Sequence, residues 1–452
     1  MLKNIISDSQ RLFVGKDVPS EYLHDQYVGD LKPLYAVALP LTHDEVVGLV
    51  EFAIAEDLKI IVRGAGTGVA GAQVPIDGNE LIIDVKLMNK IVDLDEETFT
   101  LTVEPGALIG DIHEYVQSRG YFYPPDPASK HSSIGGNVAT NAGGLRAVKY
   151  GVTRDYVKQL KVVLPTAEVL ELGSLNIKSS SGYNLLHLFV GSEGTLGITT
   201  EIKLKVIPLP KHTYSMIMAF DDVFKATDAT LQLLKGGAKP SEIELFEKDA
   251  AYYATELLKY DLPTTKGEAY LLVEIDGDDP QDLELRLKMM EEDVKDLALE
   301  TIGLVDHDEK LRVKKIRDNI LVGLMEFTKF EMLDEVVPIN KFATLIAYTK
   351  ELSVKHGLDV LNFGHAGDGN VHTILMQHEL DDQTWLLKRK ALLDDLYAKV
   401  SELGGLPSAE HGIGTVKKAY LEKMIPEVNL KTMRAIKAVF DPEGRLNPGK
   451  VI

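Results

Sequence analysis

Two short segments hold the side chains best suited to chemistry: Asn362-Phe-Gly-His-Ala-Gly-Asp-Gly-Asn-Val-His372 and Ala409-Glu-His-Gly-Ile-Gly414. In the first, Asp368-Gly369 is a strong signal for a type I′ hairpin turn. Centring the turn there sets 367 against 370, 366 against 371 and His365 against His372. Directly opposed residues of an antiparallel pair carry Cβ atoms about 4.5–5.5 Å apart, so the two imidazoles can share one metal ion. Glu410 adds a carboxylate, and three protein ligands leave coordination positions open for a substrate. His411 stands beside them as a candidate proton acceptor. Histidines flanking a tight turn are also common on surfaces, so the weight of this reading comes from the rest of the chain.

At 452 residues the chain exceeds one ordinary core and predicts two or three domains. A composition of 45% hydrophobic and 26% charged residues is that of a soluble globular protein. The net charge of −20 argues against nucleic-acid binding and against general attraction to anionic lipid. Cysteine is absent, which excludes disulfides, iron–sulfur clusters and Cys-ligated zinc. Redox chemistry would therefore need an organic cofactor, or a metal on nitrogen and oxygen ligands. The N-terminus lacks the apolar run of a signal peptide, and no stretch approaches the roughly 18 apolar residues of a membrane span. The expectation is a cytoplasmic protein, with room for peripheral contact with a membrane.

The elements that position these residues alternate along the chain. Helical periodicity over 43–56 precedes the strand-like Lys59-Ile-Ile-Val-Arg63, and further short strands are expected at 81–85, 98–103 and 161–164. Between them lie three segments rich in small residues: 64–71, 124–151 and, in two pieces, 178–184 and 191–197. Glycine and serine at this density suggest backbone wrapped closely around a ligand. The character changes at Pro208-Leu-Pro210. Strands at 214–220, 242–246 and 268–275, helices at 221–235, 280–298 and 339–356, and a hairpin at 358–376 then predict split β-α-β units with an antiparallel sheet. Helices are expected at 384–403 and 416–438.

Gly66-Thr-Gly-Val-Ala-Gly71 fits the G-x-G-x-x-G pattern after a strand, and Asp84 follows at a Rossmann-like distance. The next strand starts at Leu81, however, and the interval after Gly71 contains Pro75 and Gly78. A parallel crossover takes about a dozen or more residues and usually a helix, and no helix fits. The better expectation is a loop whose N–H groups cradle a pyrophosphate without the Rossmann helix.

Arg63-Gly-Ala-Gly-Thr-Gly-Val-Ala-Gly71 resembles the first FAD-binding loop of the vanillyl-alcohol oxidase/p-cresol methylhydroxylase flavoprotein superfamily. Pro124-Pro-Asp-Pro127, Ser133-Ile-Gly-Gly-Asn-Val-Ala-Thr-Asn-Ala-Gly-Gly144 and Tyr150-Gly-Val-Thr-Arg-Asp155 resemble its second segment. Gly182-Tyr-Asn-Leu185 and Leu188-Phe-Val-Gly-Ser-Glu-Gly-Thr-Leu-Gly-Ile198 resemble the third. The histidine segments and Asn447-Pro-Gly-Lys450 narrow the likeness to the branch of FAD-linked D-lactate dehydrogenases, the glycolate oxidase large subunit and D-2-hydroxyglutarate dehydrogenase. It spans nearly the whole chain, in order.

The resemblance implies an α+β protein. It would have a two-subdomain FAD-binding domain over 1–210, and a substrate or cap domain with an antiparallel sheet and flanking helices over 211–400. A C-terminal helical segment, 401–452, would return to the flavin site. FAD contacts are then expected from Arg63, Gly64, Ala65, Gly66, Thr67 and Gly68. Others would come from Pro125, Ser132, Ser133, Gly136, Asn137, Thr140, Asn141, Gly143, Gly144 and Gly151, and from Glu193, Gly194, Gly197, Ile198 and Asn447. With no cysteine, and no histidine in the first loop, attachment is expected to be non-covalent. The resemblance also implies a divalent metal on His365, His372 and Glu410, a base at His411, and an arginine at Arg317 for the substrate carboxylate. Nitrogen and oxygen ligands suit zinc, manganese or iron. Arg317 follows Lys310, Arg312, Lys314 and Lys315, a run equally suited to an exposed helix face.

The reaction so implied is oxidation of a D-2-hydroxy acid to the 2-oxo acid, with a hydride passing to flavin N5. A metal chelated by the hydroxyl and one carboxylate oxygen would lower the hydroxyl pKa, and a neutral histidine would take the proton. Relatives acting on longer diacids carry polar residues where Leu321 and Met332 stand, which favours a short substrate such as D-lactate. Glycolate or D-2-hydroxyglutarate dehydrogenase is the alternative, as is a FAD-binding electron-relay subunit of a larger complex. An electron acceptor is required, such as a quinone, an electron-transfer flavoprotein or another carrier, and the reading leaves room for a homodimer.

Overall fold

Short β-branched runs form the strands, and of the glycine-rich stretches, 64–71 and 191–197 remain loops while 134–140 is helical. The computed structural model describes residues 2–25, 34–304 and 306–452. Two compact units result, one formed by 1–144, 151–209 and 410–452, the other by 145–150 and 210–409.

The first unit contains two sheets. One has the order β1 (Leu12–Val14), β2 (Ala36–Ala38), β4 (Glu80–Asp84), β3 (Lys59–Arg63). β2, β4 and β3 are parallel, and Leu81, Ile82 and Ile83 are buried on both faces, as central parallel strands require. The helix His43–Ala55 covers one face with Val46, Leu49, Val50 and Ala53. Its start is fixed by Thr42, whose side chain accepts from the Glu45 N–H at 3.2 Å, with Asp44 and Glu45 in the favourable first turn. The connection 64–79 contains no helix, so the Rossmann crossover is absent. β3 and β4 are nevertheless parallel neighbours, and contrary to the expected need for a crossover helix the loop alone makes the crossing.

The second sheet is antiparallel, with the order β5 (Ile91–Asp95), β6 (Thr100–Val103), β10 (Ile198–Lys205), β8 (Val157–Val163), β9 (Val169–Gly173). β7 (Tyr121–Phe122) pairs with β11 (Ile207–Pro208). The C-terminal segment returns to β3, where Ile60 N–H donates to Arg445 O at 2.8 Å and Asn447 N–H to Ile60 O at 2.7 Å. The helix expected over 416–438 is broken into Lys418–Met424 and Glu427–Phe440, because Pro426 has no N–H to continue the ladder.

The second unit is built on one antiparallel sheet. Its order is β15 (Glu300–Leu304), β12 (His212–Phe220), β14 (Ala269–Gly277), β13 (Glu242–Glu247), β18 (Asp359–His365), β19 (Asn370–Met376), β16 (Phe330–Met332). β17 (Glu335–Val336) also lies on β19. Side chains alternate along a strand, so Glu242, Glu244 and Phe246 of β13 share a face. At its Phe246 end this face is apolar. Tyr270, Phe363 and Ile374 pack there with Ala250, Ala251 and Ala254 of the helix Lys248–Leu258, and with Val313 and Ile316 of the helix His307–Asp318. At its Glu242 end the face is lined by buried charge. No helix among the described residues is long and apolar enough to cross a membrane.

Candidate active site

The polar end of that face is organised by Glu244. Its strand partner on β18 is His365, and His365 Nδ1 lies 2.7 Å from Glu244 Oε1. A carboxylate can only accept, so Nδ1 carries a proton, and in the neutral ring the lone pair lies on Nε2. The other oxygen, Oε2, pairs with Nη2 of Arg317, which comes from the last turn of the helix His307–Asp318. Glu244 is 1% exposed as a side chain. Burial alone would raise its pKa, but Arg317 and His365 outweigh that and hold it at about 2. Arg317 is itself 8% exposed and lies 5.4 Å from the centre of the Phe363 ring. It is not part of an exposed basic patch.

The hairpin differs from the expected one. His365 pairs with Asn370, and His372 pairs with Phe363, so the two histidines are diagonal neighbours and not directly opposed. The turn spans 366–369. The Gly369 N–H donates to His365 O at 3.1 Å, and only Gly369 of the Asp-Gly pair has positive φ, so the turn is not type I′. Asp368 caps the turn by accepting from the Asn370 N–H at 3.2 Å. Diagonal residues share a face, and the imidazole centres still lie 5.2 Å apart at 85°. A buried histidine pair, one ring fixed by a carboxylate on its far nitrogen, fits a metal-binding donor set, in which ligating imidazoles are usually oriented this way.

Asp334, fully buried, holds the chain just before Glu410. It accepts from the Ser408 hydroxyl at 2.7 Å, from the Ala409 N–H at 3.1 Å and from Asn370 Nδ2 at 3.0 Å. Beyond Glu244 the carboxylates of β13 and β14 on this face are matched by cations. Glu242 accepts from Arg146 at 3.2 Å and Lys314 at 3.0 Å, Glu274 faces Lys310 at 2.9 Å, and Asp276 pairs with Lys149. Sequence reasoning passed over Glu244 and Asp334. For Glu244 a signal existed, namely carboxylates at alternate positions of an otherwise apolar strand.

In the first unit the glycine-rich loop leaves β3 half-exposed at Gly64, Ala65 and Gly66 and exposed at Thr67 and Gly68. Ser133 braces it, accepting from the Ala65 N–H at 3.2 Å. A Cβ on Gly64 would lie 2.3 Å from that Oγ. Ser133 also begins the helix Ile134–Thr140, which carries Gly136, Asn137 and Thr140 and ends at Asn141 with φ +54°. Gly143 and Gly144 are buried and Gly151 is half-buried. A Cβ on Gly144 would come within 2.1 Å of Asp126 O. Pro125 O receives His113 Nε2 at 3.0 Å, and Ser132 Oγ donates to Ser129 O at 2.8 Å. Arg63 lies over the Tyr22 ring at 4.9 Å. Gly197 and Ile198 enter β10 packed against Val162 and within the core.

Asn447 joins two of these segments. Its Oδ1 accepts from the Val62 N–H at 3.2 Å, and its Nδ2 donates to Glu193 O at 2.8 Å. Glu193 accepts with both carboxylate oxygens, from Ile413 N–H at 2.7 Å and Gly414 N–H at 2.9 Å. Burial pushes the Glu193 carboxyl up, opposed by those two N–H groups and by Lys417 and Lys450. Burial also pushes the Lys450 ammonium down, to about 7, against the pull of Glu80, Asp25 and Glu193. Glu410 and His411 stand immediately before this turn.

The FAD binding domain family matches residues 34–173, and the FAD linked oxidases, C-terminal domain family matches residues 209–451. The chain is 37% identical to a D-lactate dehydrogenase of Anaerostipes hadrus, over 98% of this chain and 94% of that protein. It is 34% identical to the glycolate oxidase subunit GlcD of Bacillus subtilis (strain 168), over 94% and 91%. It is 33% identical to a D-2-hydroxyglutarate dehydrogenase of Xanthomonas citri pv. viticola, over 92% and 89%. Among solved structures, p-cresol methylhydroxylase matches with a TM-score of 0.82 at 18% identity, covering 100% of this chain and 95% of that one. The fold is that of a p-cresol methylhydroxylase-type flavoprotein, as expected. The chain belongs to the FAD-linked oxidase family and is an FAD-binding oxidoreductase.

Proposed function

We propose that this chain oxidises a short D-2-hydroxy acid, D-lactate best, to the 2-oxo acid. His365, His372 and Glu410 hold a divalent metal, His411 takes the hydroxyl proton, and Arg317 binds the carboxylate. When bound, FAD supplies a hydride acceptor and the metal a Lewis acid that acidifies the hydroxyl. The observation that carries the reading is the double use of Glu244, which orients His365 and Arg317 together in one buried site. Arg317 offers a planar fork of donors suited to a carboxylate. An imidazole such as that of His411 suits proton transfer. Leu321 and Met332 both pack on the apolar cluster beneath the sheet, which favours a substrate with one carboxylate. The relatives' names support the D-2-hydroxy acid class. FAD is held non-covalently, and electrons leave to a separate acceptor such as a quinone or an electron-transfer flavoprotein.

Anaerobic bleaching of the bound flavin by D-lactate, L-lactate, glycolate and D-2-hydroxyglutarate tests this directly. D-Lactate should reduce it fastest. Faster reduction by D-2-hydroxyglutarate would refute the short-substrate assignment, and equal rates with L-lactate would refute the stereochemistry.

A further inference from the structure

We propose that Glu193 is a positioning residue for the proton acceptor: its carboxylate fixes the turn that carries His411 to the flavin-binding loop, and does not itself bind FAD. The inference rests on the assignment of His411 above.

Glu193 sits between Ser192 and Gly194 in the third glycine-rich segment, with φ +49°. A non-glycine residue seldom adopts this left-handed conformation and holds it only where neighbouring contacts impose it. Those contacts are present. The Glu193 N–H donates to Ala139 O at 2.7 Å, and Glu193 O accepts from Asn447 at 2.8 Å. The backbone is thus pinned on both sides, and the side chain, 7% exposed, points at the 412–414 turn.

The turn is shaped to receive it. Ile413 and Gly414 present their N–H groups to separate carboxylate oxygens, 220 and 221 residues away in sequence. Hydrogen bonds to a charged acceptor are roughly twice as strong as neutral ones. Gly412 has φ +83°, and a Cβ there would lie 2.9 Å from the Glu193 carboxyl, so only glycine permits the approach. On the other side, a Cβ on Gly414 would meet Ala70 O at 1.9 Å, and the Thr415 N–H donates to Ala70 O at 2.9 Å. The turn after His411 is therefore tied to two flavin loops, 64–71 and 191–197. With both carboxylate oxygens engaged by the turn, little of the side chain is left for a cofactor. Its effect is to make the backbone of His411 follow the loops that take up FAD. A misplacement of about 1 Å in such a group can lower a rate by roughly 100-fold.

The test uses the full-length, FAD-loaded protein with D-lactate as reductant, comparing wild type, Glu193→Gln, Gly412→Ala, His411→Ala and Glu193→Gln/His411→Ala. Two quantities are measured: the anaerobic flavin-reduction rate and the FAD dissociation constant of the reconstituted apoprotein. Glu193→Gln and Gly412→Ala should each slow flavin reduction by roughly 100-fold while FAD affinity is retained. The double variant should be no slower than His411→Ala, because residues that act as a unit are not additive. Loss of FAD affinity in Glu193→Gln, unchanged reduction in Gly412→Ala, or a double variant showing the full product of the two single losses would each overturn the proposal. Wild-type flavin reduction by His411→Ala would instead remove His411 as the base, a failure of the earlier reading with its own signature.

Discussion

Replacing Glu244 with glutamine removes one charge from a buried junction of the second unit and leaves its volume nearly unchanged. The carboxyl is held at about 2, against an ordinary value of 4.5. At about 1.4 kcal/mol per unit, that difference is worth about 3 kcal/mol of stability. The same figure falls in the range for breaking a buried pair, because Arg317 would be left buried without its counter-charge. For a unit of about 150–250 residues, 1 kcal/mol moves the melting temperature by about 2–4 °C, so Glu244→Gln should melt roughly 6–12 °C lower at pH 7. Because folding depresses this pKa, the stabilisation is fully present above about pH 4.5 and is lost as the pH falls towards 2. The gap between wild type and variant should therefore stay constant from pH 8 to pH 5 and close below that.

A second effect is separable. Glutamine can still accept from His365 Nδ1, but without the negative charge that raises the basicity of the ring. Loss of such a partner lowers metal affinity by about 10–100-fold. Calorimetry across the pH series reads the first effect, and competition with a chromophoric zinc chelator reads the second. A variant melting within about 2 °C of wild type at pH 7 would refute the electrostatic argument. A variant that melts low but binds metal unchanged would refute the role of Glu244 in orienting His365.

His372→Ala should lose bound metal, measured by plasma mass spectrometry, while keeping the flavin absorbance; full metal occupancy would remove His372 from the ligand set. Met332→Lys should raise the ratio of kcat/KM for D-2-hydroxyglutarate over D-lactate by at least about tenfold, worth about 1.4 kcal/mol of differential binding. An unchanged ratio would place the specificity of the site elsewhere.

What the sequence revealed depended on how local each decision is. Glycine-rich loops, ligand residue types and strand periodicity are set within a few residues, and β3, β13, β14 and the helix Phe342–His356 lie close to where periodicity put them. The hairpin register was less legible. Asp368-Gly369 marked the place of the turn but not its type or length: only Gly369 adopts positive φ, the turn spans 366–369, and His365 lies diagonal to His372. The helix Lys248–Leu258 was missed because its buried stripe, Ala250, Ala251 and Ala254, carries little hydrophobic signal.

The carboxylates that arrange the site were hardest to find, because their partners are fixed by strand order and not by spacing. Glu244 meets His365 across 121 residues, and only the adjacency of β13 and β18 makes them neighbours. Part of this was still present in the sequence. Glu242 and Glu244 on β13, and Glu274 and Asp276 on β14, occupy alternate positions in strands otherwise apolar enough to be central. Four carboxylates on one buried face demand cations from whatever covers it. The helix His307–Asp318 carries Lys310, Lys314 and Arg317 at spacings of four and three, which place them on one helical stripe. Alone, that stripe suits an exposed basic face as well as it suits a substrate carboxylate. Taken with the acidic strands it is their complement, and the pairing puts Arg317 inside the protein, beside a carboxylate, on sequence grounds alone.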